Sequence, residues 1–164
     1  MPDRSPPTPQ TITAFHEAGH AVMAFVLGRP VEKVTISPAQ LQTGGSRLGA
    51  CKVQKGRRKA TNDAVEDEVL ILLAGMVGES HVTNRFCVDG ASQDLRMASR
   101  LLANRAPKER QLQRLMQRML KKAEHLLGDS VNAKAIQLVA KELLAKETIS
   151  GRAVRQLFSE ASSD

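Results

Sequence analysis

The chain has 164 residues, is 41% hydrophobic and carries a net charge of +7 at pH 7, which is enough for one domain with its own core. Its longest apolar run, residues 21–27, is too short for a membrane segment, and the lack of a secretory signal together with only two cysteines favours a cytoplasmic protein. Basic residues cluster at 52–59 and along Arg110, Arg114, Arg118 and Lys121. Neither cluster contains interleaved aromatic residues, so we expect a solvated basic surface and no nucleic-acid binding.

The first part of the chain is predicted to combine one helix with two strands. We expect residues 1–9 to be a disordered, proline-rich lead-in. Apolar periodicity predicts a helix at residues 10–27. After it we expect a strand at 31–37, a loop at 39–46 and a second strand at 48–53, from the alternation of apolar residues and the positions of Gly and Pro.

Helices dominate the remainder. Asp63, with Glu66 three residues later, is typical of a helix start. The predicted helices cover residues 63–83, 92–105, 107–127, 131–146 and 151–161. The expected fold class is α+β, mainly helical with a small sheet. A core over residues 10–106 is followed by a C-terminal helical part of the same domain, residues 107–164.

The first predicted helix contains the sequence HEAGH at residues 16–20. Residues four apart share one face of a helix, so His16 and His20 can bind a single metal ion, and Glu17 is a candidate general base beside it. Two ordinary histidines and a solvated Glu are the alternative. The apolar residues 21–27 argue against this alternative, because they predict that the helix is buried. Unpaired polar groups in a buried helix are costly. Gly19 would let another segment approach the helix closely.

A catalytic zinc usually has three protein ligands. The candidates for the third ligand are Glu79, His81, Cys87, Asp89 and Asp94. Glu79 falls on the buried face of its predicted helix and therefore needs a metal or a ligand histidine as partner. Asp94 falls in the first turn of the next helix, where an Asp also simply favours the helix dipole. Pattern reasoning leaves Glu79 and Asp94 close to even.

Several segments, in the right order, resemble the FtsH-type ATP-dependent zinc metalloproteases. These segments are AFHEAGHA at 14–21, VEKVTISP at 31–38, LAG at 73–75 with Glu79, GASQDL at 90–95 and KETISG at 146–151. The resemblance implies a zincin-like metallopeptidase domain with a C-terminal helical bundle. It makes His16, His20 and Asp94 the ligands of one zinc ion and Glu17 the base, and it gives Glu79 the role of orienting a ligand histidine.

The chain also departs from the family pattern. Met76 stands where an Arg is usual, and Val88 and Asp89 precede Gly90 where a Thr is common. We find no nucleotide-driven unfoldase module among the 164 residues. Three alternatives follow: a separate AAA unfoldase delivers substrate, only peptides and unfolded segments are cleaved, or zinc is kept and peptidase activity is lost. The resemblance also suggests a homo-oligomer.

The leading functional hypothesis is a zinc endopeptidase acting on unfolded proteins or peptides through a zinc-bound water that Glu17 activates. The peptide would pair with an open strand edge formed by Leu48, Gly49, Ala50 and Cys51. The alternatives are a catalytically inactive zinc-stabilised module that binds a protein partner such as an unfoldase, and a basic nucleic-acid-binding protein with a coincidental motif.

Overall fold

The computed structural model describes residues 5–40, 46–47, 49–53 and 63–163. Over these ranges the helices are α1 (Pro9–Val26), α2 (Ala64–Thr83), α3 (Ser92–Leu102), α4 (Glu109–Gly128), α5 (Ser130–Lys146) and α6 (Gly151–Ser162). The strands are β1 (Val31–Thr35), β2 (Ala39–Gln40), β3 (Ser46–Arg47), β4 (Ala50–Val53) and β5 (Thr148–Ser150). The predicted class, a mainly helical α+β fold, is confirmed.

The main sheet has three antiparallel strands in the order β4-β1-β5. Val34 at its centre is opposite Cys51 on one side and Ile149 on the other. The C-terminal β5 therefore joins the sheet that begins beside the first helix, and β4 is an edge strand of this sheet.

The core lies between α1 and α2, and α4, α5 and α6 pack around this pair. Ala14, Ala18 and Ala21 are fully buried along α1. Gly19 allows the close approach that the sequence predicted, because a Cβ atom there would overlap the carbonyl oxygen of Ala74 on α2. The two helices that contribute most of the site are thus held in direct backbone contact.

Most helix ends follow the sequence signals. The side chains of Asp63, Asp129 and Ser150 each accept a hydrogen bond from a backbone N–H at the start of α2, α5 and α6, respectively. At the first helix, Thr8 is the cap and Pro9 the first helical residue, so α1 begins one residue before the predicted start. None of the described helices is long and apolar enough to cross a membrane.

Several predicted boundaries were wrong. The second predicted strand begins at Ala50 and not at residue 48, and α4 begins at Glu109 and not at residue 107. The segment 39–46 was expected to be a loop, but its ends pair as β2 and β3, a short hairpin without an apolar alternation to reveal it. The first strand ends at Thr35, whose hydroxyl accepts a hydrogen bond from the Ser37 N–H. The third helix ends at Leu102, because its carbonyl accepts the N–H groups of both Arg105 and Ala106.

Candidate metal centre

Two imidazole nitrogens meet on one face of α1. His16 and His20 are one turn apart, and their Nε2 atoms lie 3.0 Å from each other. The two rings are nearly perpendicular, with an interplanar angle of 81°. The helical spacing of the motif therefore brings both nitrogens to one point, as expected for i, i+4 residues.

Asp94 completes the group from the first turn of α3. Its Oδ2 atom lies 3.1 Å from Nε2 of His16 and 3.3 Å from Nε2 of His20. The three donor atoms lie within 4.8 Å of one another, and no other group of three or more potential metal-ligating residues occurs in the part of the chain that the structure describes. Zinc is commonly coordinated by two imidazole nitrogens and one carboxylate oxygen.

The outer nitrogens of both rings are also engaged. Nδ1 of His16 lies 2.7 Å from Oε1 of Glu79, and Nδ1 of His20 lies 2.6 Å from the carbonyl oxygen of Ile71. A carbonyl can only accept, so His20 carries a proton on Nδ1, and Glu79 favours the same arrangement in His16. When both rings are neutral, as metal binding requires, each Nε2 lone pair is directed to the shared point.

Gly75 on α2 leaves the space in which the two rings meet. A Cβ atom on Gly75 would lie 2.5 Å from Nε2 of His20 and 2.6 Å from Nε2 of His16. Any side chain here would press against the two nitrogen atoms. The residues present therefore fit a bound metal ion, both in donor chemistry and in the room around the donors.

The electrostatics favour positive charge at this point. Burial, the largest single influence, lowers the pKa of His16, but hydrogen bonds to Asp94 and Glu79 and the charge of Glu17 raise it to about 10. Burial raises the pKa of the Asp94 carboxyl, yet its hydrogen bonds to both histidines leave that pKa well below its ordinary range. A divalent cation would supply the charge that these carboxylates favour.

Glu17 lies beside the group on α1 and is only 5% exposed. Gly49 packs against its methylene chain, since a Cβ atom on Gly49 would lie 2.9 Å from Cγ of Glu17. Burial and the nearby charge of Glu17 raise the pKa of the Cys51 thiol on β4. The candidate base therefore lies between the metal-ligating face of α1 and the edge strand.

The remaining sequence candidates lie outside the three-residue group. Glu79 contacts the far side of His16 and is 5% exposed. His81, Cys87 and Asp89 do not belong to the group. Gly90, which precedes α3, lies between Cys87 and Glu79, because a Cβ atom on it would be 3.5 Å from the Cys87 sulfur and 3.7 Å from Oε1 of Glu79.

The structure describes three of the four residues that we expect to bind substrate. Leu48 lies outside the described residues, whereas Gly49 precedes β4, and Ala50 and Cys51 belong to it. Sequence reasoning did not foresee the carbonyl of Ile71 as the partner of His20. A backbone contact of this kind leaves no side-chain signal.

The chain is similar in sequence to one family of known proteins. The profile of Peptidase family M41 matches residues 5–108. The chain is 27% identical to ATP-dependent zinc metalloprotease FtsH 1 of Alkaliphilus metalliredigens over 93% of its own length and 30% of the relative. It is 36% identical to FtsH 4 of Sorangium cellulosum over 54% of its length and 14% of that protein. The chain thus spans less than a third of the length of these curated relatives.

Proposed function

The chain belongs to peptidase family M41, and on this basis we propose that it is a zinc-dependent endopeptidase acting on unfolded proteins or peptides. The observation that carries the proposal is the convergence of Nε2 of His16, Nε2 of His20 and Oδ2 of Asp94 beside the buried Glu17. A relative that is 27% identical to the chain is named an ATP-dependent zinc metalloprotease. This arrangement offers candidates for the three ligands and the base that metal-assisted peptide hydrolysis uses.

His16, His20 and Asp94 would hold the metal. When bound, zinc supplies Lewis acidity, which lowers the pKa of water toward about 7 and polarises a carbonyl group. Glu79 and the Ile71 carbonyl keep the two imidazoles in the tautomer that presents Nε2, at distances of 2.7 and 2.6 Å from the respective Nδ1 atoms. They also fix the ring orientations, so the site is organised before any ligand arrives.

Glu17 would move the proton. Its carboxylate accepts a proton from water as the water oxygen attacks the scissile carbonyl, and it donates that proton to the departing amine. Two observations support this role: the charge of Glu17 acts on the His16 imidazole, and the Glu17 side chain is buried. Low exposure strengthens such electrostatic interactions relative to water.

The substrate would lie along β4. In the described part of the sheet β4 pairs with β1 alone, so its outer edge can pair with an extended peptide through backbone hydrogen bonds. Leu48, Gly49, Ala50 and Cys51 are the residues we assign to this contact. Because Gly49 packs on Glu17, a peptide on this edge would lie close to the base.

The relatives are named ATP-dependent. We infer that the domain acts on chains that are already unfolded or that a separate AAA unfoldase delivers. The requirement for an extended peptide at a strand edge supports this, since most backbone hydrogen-bonding groups inside a folded protein are already paired.

The test is digestion of an unfolded casein by zinc-loaded protein, with zinc-loaded Glu17→Gln as control and mass spectrometry of the fragments. Cleavage by the wild type alone supports the proposal. Equal fragment patterns from both proteins would contradict the role of Glu17. Zinc bound in both with no fragments from either would favour an inactive zinc-stabilised module that binds a partner.

A further inference from the structure

The backbone just before β4 lies in a notch on α1. A Cβ atom on Gly49 would lie 2.9 Å from each of three atoms, namely Cγ of Glu17, Cγ2 of Thr13 and the carbonyl oxygen of Thr35. Non-bonded carbon atoms normally stay about 3.5–4.0 Å apart. Position 49 therefore has room for a hydrogen atom and for no side chain.

The three walls of this notch differ in how readily they can move. Thr13 and Glu17 are one turn apart on α1 and share a face. The hydroxyl of Thr13 is tied by a 3.0 Å hydrogen bond to the carbonyl of Pro9. Thr35 belongs to the central strand β1 and pairs with Ala50, so its carbonyl is fixed by the sheet. The side chain of Glu17 has the most rotatable bonds of the three neighbours.

We propose that Gly49 is a positioning residue for Glu17. Its backbone closes one side of the Glu17 methylene chain, and this restricts the directions in which the carboxylate can point. The role rests on the proposed function, because it assigns Glu17 as the base. This role is separate from the backbone pairing with substrate that we also assign to Gly49, because a side chain at position 49 would meet Glu17, Thr13 and Thr35.

Gly49 also connects the base to the strand on which we place the peptide. The residues that follow Gly49 form the edge strand on which we place the peptide, while Gly49 itself holds the base. A displacement of this backbone would move Glu17 away from its working position without removing a metal ligand. Enzymatic rates are sensitive to such shifts, since a misplacement of about 1 Å can cost on the order of 100-fold.

The first experiment compares Gly49→Ala with Gly128→Ala in the zinc-loaded chain, using a quenched fluorescent peptide. Gly128 is the matched control because a Cβ atom there meets nothing within 4 Å. We expect Gly49→Ala to lower kcat by about 10- to 100-fold while KM and zinc content stay near wild type. An unchanged kcat, a change in KM alone, or an equal loss in Gly128→Ala would overturn the proposal.

A compensating change sharpens this comparison. Thr13→Ser removes Cγ2 and keeps the hydroxyl, so the methyl group that Gly49→Ala adds gains room on the Thr13 side. We expect the Thr13→Ser/Gly49→Ala pair to recover part of the kcat lost in Gly49→Ala. No recovery at all would mean that the notch does not act through crowding around Glu17.

A double-mutant cycle of thermal unfolding tests the contact between Gly49 and Glu17 and needs no activity measurement. In metal-free protein we expect Gly49→Ala to lower Tm, and to lower it less than half as much when Glu17→Ala has removed Cγ. Full additivity would overturn the proposal. If Gly49→Ala does not fold, the double variant should fold, and its failure would overturn the proposal as well. If the wild type cleaves no peptide, the proposed function fails, whereas this cycle still decides on the contact.

Discussion

Nδ1 of His16 lies 2.7 Å from Oε1 of Glu79, and the opposite nitrogen of the same ring lies 3.1 Å from Oδ2 of Asp94. The His16 ring thus lies between the two carboxylates that the sequence pattern left as equal candidates for the third metal ligand. Glu79 lies on the Nδ1 side, where we propose that it orients the ring, and Asp94 lies on the Nε2 side together with His20, where we propose that it binds the metal. The two carboxylates should therefore respond differently to loss of charge.

Glu79→Gln should weaken zinc binding by about 10- to 100-fold, as is typical when the partner of a ligand histidine is altered. The amide can still contact Nδ1, but it no longer attracts the ring proton with a full charge. Competition with a chromogenic chelator measures the change. Glu160→Gln, at an exposed position of α6, is the control, and equal affinities of the two variants would contradict the assignment.

Asp94→Asn should weaken zinc binding more strongly, by more than about 100-fold, because it removes the anionic ligand itself and not a partner of a ligand. Asp89→Asn is the matched control, since Asp89 is exposed five residues earlier and outside the group. Zinc content after dialysis against a weak chelator distinguishes the two. Retention of one tightly bound zinc by Asp94→Asn would show that another residue is the third ligand.

Gly75→Ala should disrupt the centre by crowding. The new methyl group would press on Nε2 of both histidines, and overpacking of this kind costs about 1–3 kcal/mol of unfolding free energy. We expect a lower Tm and loss of zinc, measured by calorimetry and metal analysis. Gly128→Ala serves again as the neutral control. Normal zinc content in Gly75→Ala would contradict the description of the site.

The metal-free protein should lose stability as pH rises from 6.5 to 8.5. The pKa of His16 is about 10 in the folded protein, against an ordinary value of 6.5 for histidine, so the folded state holds a proton that the unfolded chain releases in this window. The stabilisation is complete below 6.5 and decreases as pH approaches 10. The window stays below the ordinary pKa of 9.0 for Cys51.

Tm of chelator-treated protein across this range tests the expectation, and His16→Gln should show a flatter profile. A Tm that rises with pH in the wild type would contradict it. The lowered pKa of Asp94 acts in the opposite direction at acid pH, because its stabilisation is present above 3.8 and is lost as pH falls below that value.

Much of the candidate site could be read from the chain because it depends on helical geometry. The spacing of His16 and His20 fixes their common face, and Gly19 indicated a close neighbour. The spacing could not separate Glu79 from Asp94, since a helical pattern gives the face on which a residue lies but not which nitrogen of a histidine it meets. The backbone partner Ile71 has no sequence signature of any kind.

The sheet was harder to anticipate for a related reason. The pairing of β2 with β3 joins Ala39 to Arg47 and Gln40 to Ser46, and such short, polar strands lack the alternation that marks a strand. The position of Gly49 on Glu17 joins residues far apart in sequence. Only the assembled fold brings them together.

The most direct measurement is a titration of metal-free protein with zinc that follows bound zinc and peptide cleavage in the same sample. We expect cleavage to be absent without zinc, to rise in proportion to bound zinc and to reach its plateau at one zinc ion per chain. Cleavage that persists in the metal-free protein, or that does not follow bound zinc, would show that His16, His20 and Asp94 do not form a hydrolytic metal centre.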